Sequence, residues 1–143
     1  MDVTTIIRIV AGIVFLGVLA IGIAYIAFLS GLLAKCSPAA RTMQPGMVWL
    51  MLVPLFNLIW SFIVVNALSE SLAKEFGLRK LPLLEPKPGK PVGIAMAVSG
   101  ACSIIPLVNL LAMPAHLILW IMYWVKMAGY SRCLEQVATG IGV

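Results

Sequence analysis

His116 is the only histidine in the 143 residues, and it stands inside an apolar run that contains no Asp or Glu. An imidazole in such a run can handle a proton or ion, ligate a metal or haem across an oligomer, or sit neutral against a backbone carbonyl or a neighbouring helix. The neutral, hydrogen-bonded ring is the favoured reading. The amides of Asn57, Asn66 and Asn109 share the apolar runs with the hydroxyls of Ser61, Ser99 and Ser103. These groups suit either a hydrophilic path or bonds between helices, which average only about 0.6 kcal/mol in membranes. Bonds between helices are the expected use.

Other chemistry has little to build on. There is no phosphate loop, dinucleotide fingerprint, His-Glu-x-x-His or Gly-x-Ser-x-Gly. One histidine makes no His-rich metal site, and apolar runs free of Asp and Glu make no paired-carboxylate site. No catalytic residue, metal or cofactor is expected. Met43, Met47, Met51 and Met113 sit among aliphatics and read as packing. Cys36, Cys102 and Cys133 are too widely spaced for a Cys-x-x-Cys pair and read as buried apolar thiols.

Two of the asparagines follow a proline at the same spacing, in Pro54-Leu55-Phe56-Asn57 and Pro106-Leu107-Val108-Asn109. Proline lacks the amide donor and breaks or kinks a helix interior. A backbone group freed in hydrocarbon costs several kcal/mol unless something satisfies it. Pro54 and Pro106 are therefore expected as helix breaks, with Asn57 and Asn109 bonding the freed backbone or a facing helix.

The elements around them are those of a membrane protein. Hydrophobic residues make up 62% of the chain and charged residues 10%, and mean hydropathy is +1.09, whereas soluble domains have roughly 45–50% and 25%. The expected fold is all-α and polytopic, one membrane domain over residues 1–143 with about four transmembrane helices. The net charge of +5 is scattered through loops and tails, which suits topology and anionic lipid rather than nucleic acid.

Residues 9–34 carry no charge and exceed a signal-peptide core, so a retained span is expected over about 5–34. Within it Gly17, Ala20, Ala24, Ala27 and Gly31 recur every three or four residues, a smooth seam for close helix approach. Further spans are expected near 47–67, 92–106 and 109–130, with a stiff, basic, proline-rich loop over 78–91. Leu68, Leu72 and Phe76 share a face, which carries the second helix on to Gly77. Gly93, Ala97 and Ala101 give the third segment a small-residue face. Trp120, Tyr123 and Trp124 read as an interfacial belt. Ser71 and Glu75 follow the first break, and Ser131 and Glu135 follow the second about two helical turns later, a weak internal echo.

Charge allows two threadings. Four crossings leave Lys35 and Arg41 opposite the other basic residues, so that Ser37 lies across the membrane from Lys87 and Gly140. A re-entrant hairpin over 47–67, turning at Pro54–Asn57, leaves Arg8 alone against the rest. Length favours four crossings, because 47–53 is too short to span as one limb.

Three stretches carry a resemblance: Arg41-Thr42-Met43-Gln44-Pro45-Gly46-Met47-Val48-Trp49, Val53-Pro54-Leu55-Phe56-Asn57-Leu58-Ile59-Trp60, and Tyr123-Trp124-Val125-Lys126-Met127-Ala128-Gly129-Tyr130-Ser131. The chain resembles a family of small uncharacterised bacterial inner-membrane proteins with Pro-Gly-x-x-Trp, Pro-x-x-Asn and a C-terminal Trp-x-Lys helix. The likeness covers roughly residues 33–135 and brings no established activity; it implies a bacterial inner-membrane location. The expected role is a non-enzymatic structural or accessory subunit, partnered by the lipid bilayer and by itself or other membrane subunits. A small channel or transporter with broken-helix elements is the alternative.

Overall fold

The computed structural model describes residues 1–140; the last three residues of the expected 1–143 domain lie outside the described residues. Helix α1 covers Val3–Lys35, a 3-10 helix covers Pro45–Leu52, and α2 (Pro54–Leu78), α3 (Lys90–Cys102) and α4 (Pro106–Thr139) follow. There is no strand among the described residues, and the fold is all-α as expected. By length and composition α1, α2 and α4 are each able to cross a membrane. The fourth expected span is shorter: α3 has 13 residues and rises about 20 Å against roughly 30 Å of hydrocarbon.

Contacts fix the direction of each helix. Lys35, closing α1, donates to Ser131 Oγ at 2.6 Å and pairs with Glu135, both near the end of α4. Ser37 binds Glu75 near the end of α2. The C-terminal ends of α1, α2 and α4 therefore gather at one pole, and α3 starts there, with Gly89 close against Met127 and Tyr123. From this pole the chain descends twice. The first descent passes Thr42 beside Ser71 and Met47 beside Trp60, then reverses at Val53 into α2. The second passes Gly93 beside Tyr123 and Gly100 beside His116, then reverses at Ile105 into α4.

This overturns the threading that put Ser37 across from Lys87 and Gly140. Lys35 meets Glu135, and Glu85 pairs with Lys126 on the same stretch of α4, so Ser37 and the proline-rich loop share one pole. The hairpin turning at Pro54 is the arrangement found, and a second turns at Pro106. The descending limb is longer than 47–53 because it starts as early as Thr42, and it contains a 3-10 helix, which climbs about 2.0 Å per residue instead of 1.5.

The two prolines do interrupt regular helix, as reversal points rather than kinks. Each is the first residue of a new helix, where its missing amide would have had no partner anyway and its fixed φ suits the helix start. The amides of Asn57 and Asn109 then make the early helical bonds to Val53 and Ile105 carbonyls, both at 2.8 Å. The expected side-chain role is not met. Asn57 Oδ1 and Asn109 Oδ1 are buried without a partner among the described residues, and so is Asn66 Oδ1. A proline does lie inside α4, Pro114, exposed on the outer face.

Packing uses one small-residue face and leaves the other bare. Gly93 and Ala97 of α3 are buried against its neighbours. On α1, Gly17, Ala20, Ala24, Ala27 and Gly31 are all exposed, and the buried face is Tyr25, Ile26, Leu29, Leu32 and Leu33 instead. Leu68, Leu72 and Phe76 are buried together as their shared face required. The expected aromatic belt is instead a joint between helices: Tyr123 is buried, and Tyr25 of α1 meets Trp120 and Trp124 edge-on at 5.2 and 5.4 Å.

A Cβ on Gly93 would fall 2.5 Å from Val65 Cγ1 and 2.8 Å from Tyr123 Cε2, whereas one on Gly17 would meet nothing within 4 Å. Gly93→Ala is therefore expected to cost about 1–3 kcal/mol through overpacking, and Gly17→Ala to leave stability within about 0.5 kcal/mol. Thermal melts of both variants in mild detergent check this.

Candidate functional site

Two polar constellations stand out, one at the gathered pole and one in a groove on its far side. At the pole, Glu75 is 2% exposed yet fully engaged. Its Oε2 accepts from the Ser37 amide and hydroxyl, both at 2.7 Å, and its Oε1 accepts from Arg79 Nε at 2.6 Å. A buried carboxylate needs such donors to offset the loss of water. Beside it the Thr42 amide donates to Ser71 Oγ at 3.0 Å, and Ser71 donates to the Ala67 carbonyl. Arg41 donates to the carbonyls of Ala34 and Cys36 at 2.7 and 2.8 Å, covering acceptors that the end of α1 leaves free. Across the pole Lys35 joins Ser131 and Glu135.

The weak echo thus has a physical role. Ser71 with Glu75 on α2, and Ser131 with Glu135 on α4, hold the end of α1 and its connector from two sides. Burial, with Glu75 next to it, pushes the Cys36 thiol up to about 11, which leaves it protonated and unreactive at neutral pH. The proline-rich loop docks here too. Its Glu85 pairs with Lys126 and accepts from the Gly89 amide at 3.1 Å. The bond from Lys126 holds the Glu85 carboxyl below its ordinary value despite some desolvation. A lowered carboxyl stabilises the docked loop above the usual carboxylate range of about 4 and loses that contribution as pH falls through the lowered value.

On the other side, α1, the first hairpin and the α3–α4 hairpin surround a groove of about 720 Å³ that opens to one side. Its walls are apolar, and they include Pro54, Asn57, Ser61, Ser103 and His116. His116 Nδ1 lies 2.9 Å from the Met96 carbonyl and 3.3 Å from Ser99 Oγ. A carbonyl only accepts, so Nδ1 carries the hydrogen and, in the neutral ring, Nε2 carries the lone pair. Gly100 gives the imidazole room to lie against α3, since a Cβ there would come within 3.1 Å of the ring.

The structure brings Asn57, Pro54 and His116 together on this groove and leaves Asn66 and Asn109 off it. Gly17, Ala20, Ala24, Ala27 and Gly31 of α1 are on no groove wall, although neighbouring Val18, Leu19 and Gly22 are. Glu75, Lys35 and Glu85 were not read as site residues from sequence. Only the Ser-x-x-x-Glu spacing pointed toward Glu75, because it places hydroxyl and carboxylate on one helical face.

No family model, no curated protein and no solved structure matches the chain.

Glu75→Gln keeps the shape but gives Arg79 and Ser37 a neutral partner in a buried place. A loss of about 2–4 kcal/mol is expected, read by denaturant titration in micelles against Glu70→Gln, an exposed neighbour expected to be neutral.

Proposed function

We propose that this chain is a non-enzymatic inner-membrane protein of bacteria, acting as a structural or accessory subunit of a homo-oligomer or a larger membrane complex. The observation that carries the reading is the bare small-residue seam of α1, Gly17, Ala20, Ala24, Ala27 and Gly31, on a helix whose residues 3–21 are all exposed. Lipid accepts an exposed Leu or Ile as readily as protein does, so apolar exposure alone says little. A continuous small-residue face is different. It lets a second helix come close enough for backbone-to-backbone packing. A transport path is less well supported, because the groove walls are mostly apolar and only Asn57 of the Pro-x-x-Asn asparagines lies on them.

The membrane orientation belongs to the same proposal. Every Lys and Arg except Arg8 falls on the gathered pole or on the loops that meet there. The positive-inside rule then sets that pole in the cytoplasm and the N-terminus across the membrane. Both proline turns point toward the N-terminal side.

Two measurements test the proposal. Ala24→Leu and Ala27→Leu add bulk at exposed positions, so they should weaken or abolish self-association or subunit capture while leaving the melt of the dissociated protein unchanged. An oligomer profile by native mass spectrometry that is identical to the parent would reject the seam as an interface. Single cysteines at Ser37 and at Lys87, in a chain with its native cysteines replaced, should both label from the cytoplasmic side. Labelling of Ser37 from the opposite side would reject the orientation.

A further inference from the structure

The groove beside His116 has a chemistry of its own, separate from the seam. Its lining holds no Asp, Glu, Lys or Arg, so nothing there compensates an ionised headgroup, a fatty-acid carboxylate or a phosphate. Its polar side chains include acceptors that are left free. His116 Nδ1–H is committed to the Met96 carbonyl, and Nε2 has no protein partner among the described residues. Ser103 and Ser61 give their hydrogens to the carbonyls of Ser99 and Leu58, at 2.9 and 3.4 Å, which leaves oxygen lone pairs. Asn57 and Trp120 also line the groove, and each carries N–H donors. Acceptors in an apolar wall call for a ligand that brings the hydrogen.

A metal fits poorly, since among the described residues no three His, Cys, Asp or Glu side chains come together. The volume, about 720 Å³, lies within the roughly 300–1,000 Å³ of small-molecule sites. We propose that this groove binds a neutral lipophile with a hydroxyl head, whose apolar body lies between α1 and the two hairpins and whose hydroxyl donates to His116 Nε2. Isoprenoid alcohols, quinols and diacylglycerols share that chemistry. The Met96 carbonyl fixes the ring tautomer that leaves Nε2 as the acceptor, and Gly100 leaves the ring room against α3.

The single histidine makes the test direct. The protein is labelled with ¹⁵N-histidine, placed in lipid nanodiscs and titrated with dodecanol and with dodecyl methyl ether, which has the same body but no donor. Dodecanol should move the Nε2 resonance saturably while Nδ1 stays nearly still. The ether should need about tenfold more for any effect, the size of one hydrogen bond in an apolar site. Equal responses to the two, or none to dodecanol, would overturn the proposal. Farnesol and dioleoylglycerol then tell an isoprenoid from a glycerolipid body by which saturates at the lower concentration. Val18→Trp adds bulk at an exposed position on the α1 wall, on a different helix from the ring. It should remove the dodecanol response; a response of parental size would mean that the alcohol reaches the ring elsewhere, and would also overturn the proposal.

Discussion

Glu75 keeps a carboxylate almost wholly out of solvent, and much of the molecule is arranged around the donors it requires. Its acceptors are filled by the backbone and hydroxyl of Ser37 and by Arg79. Satisfying it draws the first residues after α1 onto the end of α2, and the Lys35 contacts with Ser131 and Glu135 draw the end of α4 to the same place. Once three helix ends are held together, the chain between them has to leave that pole and come back. The hairpins at Pro54 and Pro106 are how it returns. Removing a partner from a buried charge costs more than the pair contributes when intact, so this pole acts as a constraint on topology more than as a source of stability.

Local features were legible in the sequence where local physics decides them. The apolar runs gave the helices, the shared face of Leu68, Leu72 and Phe76 gave a buried stripe, and each Pro-x-x-Asn marked an interruption. What the interruption does was not legible. A proline inside a helix and a proline opening one look alike in sequence, and only the descending limbs, a 3-10 helix before Pro54 and α3 before Pro106, decided for the second. The polar pole was half visible. The Ser-x-x-x-Glu spacing showed on α2 and α4, but its partners Ser37 and Lys35 lie far away in the chain, and nothing local announces a contact of that range.

The two small-residue faces show the same limit from another side. Gly93 with Ala97 and Gly17 with Ala24 obey the same spacing rule, yet the first pair is buried and the second bare. Spacing says that a close approach is permitted and does not say who approaches. On α3 the neighbours are Val65 and Tyr123 of the same chain. On α1 the described residues put nothing within 4 Å of a Cβ on Gly17 or Gly31, which is why assembly is the proposed role. His116 is a parallel case. Its bond to a backbone carbonyl was the favoured reading, whereas the groove that its other nitrogen borders is made by helices no sequence window contains.

The central claim is that α1, α2 and α4 end together, held by the contacts of Glu75 and Lys35. It is tested most directly by a cross-link between the ends of α1 and α4 in native membranes. In a chain lacking its three cysteines, Lys35→Cys and Glu135→Cys replace two side chains now in contact. A short bifunctional thiol reagent should join them within one chain, so that proteolysis in the proline-rich loop leaves the two halves linked. Halves that separate after cleavage, together with labelling of the two cysteines from opposite sides of the membrane, would contradict the account.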